Sequence, residues 1–336
     1  MESYARFMDR ALYHPEYGYY MQARDPIGRQ GDFYTAPRCH SWFGALLGQE
    51  LARQWRAWGQ PGDFYFLEWG CGDGQLAVDL LDWLRAEAAD CYASLQAVLI
   101  DISPWQQQRA KAKIEQAGHT DRTVISTTGP ADPLAFAVIV AYEFLDALPV
   151  HQLRWTGRKW QEAFWREDGR LVWAQPSRAE LLDELKNWDF TPRPGQKVEV
   201  GLAGKQWLQH LARLVRCGRL LVIDYGYEEA ELVYWPQGTL RSYCGHQVKE
   251  VEWRAAGQED ITAGVNFSAL CRWGNELGWQ CSQRQPLGQW LLAKGLATWL
   301  LEKRPDLEER LRLKHFFCPG GIGEKFSLVE ASWPLG

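Results

Sequence analysis

Apolar positions in this chain follow two rhythms, short unbroken runs and helical repeats, and between residues 64 and 141 the two alternate. The runs 64–67, 97–100 and 136–141 are apolar, and the first two are closed by Glu68 and Asp101. Such runs predict strands buried on both faces, as in a parallel sheet. Between them, 76–83 and 104–117 predict helices, the second opened by Pro104, whose fixed φ suits a first helical turn. A further short strand is expected over 123–126. The resulting order, βαβαββ, predicts a doubly wound α/β sheet whose ligands bind beyond the carboxyl ends of the strands.

On either side the pattern is less regular. Residues 12–20 form an aromatic turn region, and Phe43, Leu46, Leu47, Leu51 and Trp55 recur at helical spacing, which predicts a helix laid on the sheet. After residue 150 the runs 160–165 and 170–174, joined around Asp168-Gly169, predict a β-hairpin that interrupts the alternation. A helix over 205–216 and a buried strand over 219–226, containing Asp224, resume it. Periodicity then fades over 227–265, a stretch long enough to be read as a substrate-facing loop, carrying Arg241, His246 and Asp260. Beyond it come a helix over 267–277 capped by Asn266, a strand over 279–283, helices near 288–302 and 306–315, and a last strand over 325–330. Four regions are expected: an N-terminal extension over 1–60 packed on the core, a cofactor-binding half over 61–150, an inserted hairpin over 151–200, and a second half over 201–336.

The chemistry concentrates where the first strand ends. Glu68 is followed by Gly70, Gly72 and Gly74 at every second position, and a helix opens at once. Glycines there let the chain turn sharply and a ligand approach the backbone. The spacing differs from the dinucleotide fingerprint Gly-x-Gly-x-x-Gly, and a carboxylate beside the loop suits a cationic ligand. S-adenosyl-L-methionine, with its amino group and sulfonium, is such a ligand, and Asp101 would then take the ribose hydroxyls. A plain strand-to-helix turn is the other reading. Asp32, in a loop before the sheet, either closes over the cofactor or caps its own turn. Glu143 and Asp146, three apart after the central strand, would share a face if that segment is one helical turn, and such a pair could grip a guanidinium. His151 is either a half-buried histidine or a base.

Composition narrows the classes. With 336 residues, 46% hydrophobic positions and 19 tryptophans, the chain can bury a large core, and its net charge of −5 gives no electrostatic footprint for nucleic acid. Eight cysteines without a Cys-x-x-Cys pair indicate neither a zinc site nor a disulfide framework, so no metal is expected and a reducing compartment is. No run of about 18 apolar residues is found, so membrane insertion is not expected. The first residues lack a leader pattern, and the cytoplasm is the expected location.

Several segments together resemble the MidA family of class I S-adenosyl-L-methionine-dependent methyltransferases. They are Glu68 with its glycines and Asp101, Gly31-Asp32-Phe33 with Thr35-Ala36-Pro37, the run 143–151, Ile223-Asp224-Tyr225-Gly226, Gly238-Thr239-Leu240-Arg241 and Asp260-Ile261-Thr262-Ala263. The family includes a mitochondrial arginine methyltransferase that assists complex I assembly. The resemblance implies a seven-stranded, Rossmann-like methyltransferase sheet with an N-terminal helical extension and an inserted hairpin and substrate-loop region. It implies transfer of a methyl group to an arginine nitrogen of a protein substrate, with an NADH dehydrogenase subunit as the expected partner. Glu68, the three glycines, Asp101 and Asp32 would hold the cofactor, and Glu143, Asp146 and His151 would serve the acceptor. Two rival readings stay open: an assembly factor that binds the cofactor without transferring methyl, and a small-molecule methyltransferase.

Overall fold

The computed structural model describes residues 1–24, 41–244, 247–303 and 307–334, and its chain divides into two compact units. One comprises Tyr34–Glu143, Leu211–Asp224 and Gly278–Gly336 and carries the large sheet. In chain order its principal elements are α1 (Ser41–Ala57), β1 (Phe64–Trp69), α2 (Gln75–Glu87), β2 (Leu95–Ile100), α3 (Pro104–Ala117), β3 (Thr123–Ser126), β4 (Leu134–Tyr142), β5 (Val215–Tyr227) and β6 (Phe326–Trp333). Each strand predicted between 64 and 141 is present. Ser103 caps α3, its hydroxyl accepting from the Gln106 amide, with Pro104 in the first turn.

Among the described residues the sheet has nine strands, seven of them on the path Gln280–Cys281, β6, β5, β4, β1, β2, β3, with two short strands, Val265–Asn266 and Gln285–Pro286, pairing off it. Pairings β5–β4, β4–β1, β1–β2 and β2–β3 are parallel. Strand order therefore reverses beside β1, which has β2 on one side and β4 on the other. That switch point opens a crevice at the strands' carboxyl ends, and Glu68, Asp101, Glu143 and Asp224 all fall at those ends. The fold is the class I methyltransferase sheet. Its core joins Phe64 and Phe66 of β1, Leu80 and Leu84 of α2, Trp42 and Phe43 of α1, and Trp290, Phe316 and Phe326 from the C-terminal part.

The second unit comprises Met1–Phe33, Phe144–His210 and Tyr225–Leu277. Its sheet contains the expected hairpin, Trp160–Trp165 paired antiparallel with Leu171–Ala174, and also His151–Trp155, which pairs with Trp160–Trp165 and with Lys197–Val200. A helix at Tyr4–Tyr13, running into the aromatic turn region expected over 12–20, buries Phe7, Met8 and Leu12 against Ala163 and Trp165 of that hairpin. The first 60 residues are thus shared: Tyr4–Tyr13 packs with the hairpin, whereas α1 packs in the large-sheet unit. Residues 227–265 also differ from a structureless loop. They hold a 3-10 turn at Glu229–Tyr234 and a small antiparallel sheet of Arg241–Cys244, Gln247–Lys249 and Asp260–Thr262. The pairing of Arg241–Cys244 with Asp260–Thr262 joins residues far apart in sequence, so no local pattern announced it.

Candidate functional site

Backbone hydrogen bonds fix the glycine loop. The amides of Gly70 and Cys71 donate to the Ile100 carbonyl at 2.8 and 3.1 Å, and the Gly74 amide to Cys71 at 3.0 Å. Gly70, Gly72 and Gly74 have φ of 70°, 53° and 74°, the left-handed region in which a Cβ is strained. Two of them have separate reasons to be glycine. A Cβ on Gly74 would sit 3.1 Å from the Ala110 Cβ of α3, so Gly74 lets loop and helix close together. Among the described residues a Cβ on Gly72 would meet nothing within 4 Å beyond its chain neighbours, so it would project into open space over the loop.

Two carboxylates flank that space. Asp101 is oriented by the amides of Gly72 and Ser103, which donate to Oδ2 and Oδ1 at 2.9 and 2.8 Å. Burial pushes its carboxyl up to about 6, against the pull of those two amides. Glu68 is 4% exposed, and its Oε2 is buried without a hydrogen-bond partner among the described residues. Burial raises its carboxyl well above the ordinary range, and Asp73, Asp101 and Asp79 raise it further. An orphaned buried carboxylate oxygen normally marks a missing partner. A cationic ligand beside the loop would supply one, while Asp101 has acceptor capacity for hydroxyls. The residues therefore fit S-adenosyl-L-methionine. Ile102, which directly follows Asp101, is 45% exposed in a region of buried strand ends and offers an apolar edge to a flat base.

Asp73, between the glycines, forms a brace. Its carboxylate, 5% exposed, meets Arg109 at 3.1 Å and Lys113 at 3.0 Å, both on α3, and Arg109 lies over the Trp105 ring. The sequence signal was an i, i+4 basic pair on one helix face, and reading the loop alone missed it. Asp73→Asn leaves two cations facing an amide and is expected to cost about 1–3 kcal/mol of stability, read as a lower urea midpoint with unchanged m. An unmoved midpoint would show that the brace contributes nothing.

Beyond β4 the structure corrects the expected helical turn. Glu143 is a non-glycine residue at φ 48°, its amide donating to the Ile223 carbonyl at 3.0 Å, and a turn closes only later, from the Leu148 amide to Leu145. Glu143 and Asp146 therefore do not share a helix face. The unit boundary falls between Glu143 and Phe144. Asp224, at the end of β5's large-sheet portion, is fully buried.

Asp146 belongs to a buried group in the other unit. Its carbonyl accepts from Ala263 at 2.9 Å, while the Tyr20 hydroxyl donates to Asp260 at 2.8 Å. Burial raises the Tyr20 and Tyr243 hydroxyls, and both Asp146 and Asp260 add to each shift. His151 lies in the same unit, at the start of a strand, with Nδ1 2.7 Å from Oε1 of fully buried Glu162. The Ser177 amide donates to the other Glu162 oxygen at 2.6 Å. Burial opposes ionisation of Glu162, but the bonds from His151 and Ser177 outweigh it and hold its carboxyl below the usual value. The pair ties neighbouring strands together across 11 residues of sequence, as the half-buried reading of the histidine expects. Arg241 donates to the carbonyls of Leu240 and Gly238. Asp32 and His246 lie outside the described residues.

Comparisons with known proteins point the same way. Residues 46–284 match the family described as "Putative S-adenosyl-L-methionine-dependent methyltransferase". The chain is 30% identical over 299 residues to the protein arginine methyltransferase NDUFAF7 homolog, mitochondrial, of Drosophila melanogaster, and 29% identical over 297 residues to the mitochondrial protein arginine methyltransferase NDUFAF7 of Mus musculus. These alignments take in 79% and 80% of this chain and 65% of each relative, so the chain spans just under two thirds of their length. A Burkholderia thailandensis protein, in a crystal structure bound to S-adenosyl-homocysteine, superposes with a TM-score of 0.86 at 26% identity, covering 99% of this chain and 88% of that one. The family match over most of the chain, the shared fold and the cofactor-shaped end of the sheet agree: the chain belongs to this family of S-adenosyl-L-methionine-dependent methyltransferases, the MidA family that its motifs resemble.

Proposed function

We propose that the protein transfers a methyl group from S-adenosyl-L-methionine to an arginine nitrogen of a protein. The observation that carries this reading is Glu143. It is a carboxylate at the carboxyl end of β4, next to β1 in the sheet, held at a left-handed φ that costs a non-glycine residue energy and tends to persist where a side chain must be aimed. Relatives named as protein arginine methyltransferases support the choice of acceptor. When bound, the cofactor supplies an electrophilic methyl on a sulfonium. Glu143 would orient the guanidinium by charge-assisted hydrogen bonds and take up the proton that the methylated nitrogen must lose. The acceptor role is argued here for Glu143, and Asp146 and His151 are the further residues that the resemblance nominates for it.

An NADH dehydrogenase subunit is the acceptor that the resemblance favours. The scattered cysteine spacing favours a reducing compartment, and the cytoplasm is the one we propose. No described helix is long and apolar enough to cross a membrane. The test is transfer of radiolabelled methyl into cell lysate, followed by acid hydrolysis. Label in a protein band that yields methylarginine is expected. Label confined to the low-mass fraction would instead make the protein a small-molecule methyltransferase, and binding without transfer would make it a cofactor-binding assembly factor.

A further inference from the structure

Glu68 is enclosed by like charges. The charges of Asp73 in the glycine loop, Asp101 at the end of β2 and Asp79 on α2 all act on it, and the buried thiol of Cys71 feels Asp101, Glu68 and Asp73 in turn. Among the described residues, the basic side chains that reach this cluster are Arg109 and Lys113 of α3, and both bond to Asp73. Asp101 has its two amides, and Asp79 accepts from Gln75 at 2.9 Å. Glu68 alone of the four has no donor, although it is 4% exposed. An ionised carboxylate in such a place is costly, and the cost is removed when the group holds a proton.

We propose that the site binds S-adenosyl-L-methionine with release of a proton from Glu68, so that affinity for the cofactor rises with pH across the neutral range. The Glu68 carboxyl O–H bond breaks, the proton passes to solvent, and the carboxylate left behind pairs with a positive group of the cofactor. No charge is buried alone at either stage. The sign follows from linkage: Glu68 is raised well above its ordinary value in the cofactor-free fold, and an adjacent cation lowers it, so the bound state holds fewer protons. Asp79 and Asp101, each raised by burial to about 6, are largely ionised at pH 7 and contribute mainly below it. The cofactor's own amino group titrates near 8, taking the usual range for an α-amine, and stays charged at pH 7.

Isothermal titration of the intact protein with S-adenosyl-L-methionine at about pH 7, in PIPES and in imidazole buffers, counts the protons released. The expected slope of binding enthalpy against buffer ionisation enthalpy corresponds to roughly 0.5–1 proton, with affinity rising up to about tenfold per pH unit between about pH 6 and 7. Glu68→Gln should bring the slope at pH 7 close to zero. A zero slope in the native protein, or an unchanged slope in Glu68→Gln, overturns the proposal. Infrared difference spectra of the native protein give a second reading that needs no variant. The carbonyl stretch of a protonated carboxyl should disappear when the cofactor is added, and its persistence would overturn the proposal as well.

Discussion

Gly72→Ala is expected to lower affinity for S-adenosyl-L-methionine by about a hundredfold or more, roughly 2.7 kcal/mol, while the fold survives. Among the described residues the new methyl group meets nothing within 4 Å beyond its own chain neighbours, so the described fold has room for it. Its direction is into the space over the loop, beside the Gly72 amide that orients Asp101. The φ of 53° adds a local penalty of about 1–2 kcal/mol, which a protein of this size can absorb. Gly74→Ala should behave in the opposite way. There the methyl group lies 3.1 Å from Ala110, so α3 must give way and stability should fall by about 1–3 kcal/mol. Titration calorimetry and thermal unfolding on both variants separate the two effects. Cofactor affinity within threefold of the parent in Gly72→Ala would show that the open space is not where the cofactor lies.

Glu143→Gln should slow methyl transfer by about a hundredfold to ten-thousandfold, with cofactor affinity changed by less than about threefold. The amide preserves the shape of the side chain and the backbone strain at φ 48°, and removes the charge and the proton-accepting oxygen. Rate and affinity should therefore part company. Single-turnover transfer to the labelled lysate protein gives the first quantity and calorimetry the second. Full transfer by the variant would remove Glu143 from the acceptor role, without touching the placement of the cofactor.

The two halves of the proposed chemistry differ in how much of them could be read from the residues in order. Glu68, the glycines and Asp101 lie within 34 positions of one another, and each sits at the end of an apolar run whose boundary the sequence marks. Local signals sufficed there, because a strand ending in a carboxylate followed by alternating glycines admits few conformations. Glu143 was found by position and misjudged in conformation. Its left-handed φ goes with a bond to Ile223, a residue 80 positions away, which no local propensity reports. His151 is the reverse case. The sequence left it as either a half-buried histidine or a base, and its partner Glu162 on the neighbouring strand fits the first of these.

The sequence by itself determined the alternation of strands and helices, hence the parallel sheet and the end at which a ligand sits, because periodicity and turn residues are properties of neighbouring positions. It also pointed to a cationic ligand, since the carboxylates Glu68 and Asp101 at two strand ends flank three glycines in one short loop. Only the tertiary structure decided which carboxylate lacks a partner. Asp73 is satisfied by Arg109 and Lys113, Asp101 by two amides, and Glu68 by nothing described. It also decided how the chain divides, with Tyr4–Tyr13, the hairpin and the small sheet of 241–262 in one unit built from three separate stretches. Both outcomes depend on contacts between residues far apart in the chain, where burial and pairing override what any one segment prefers.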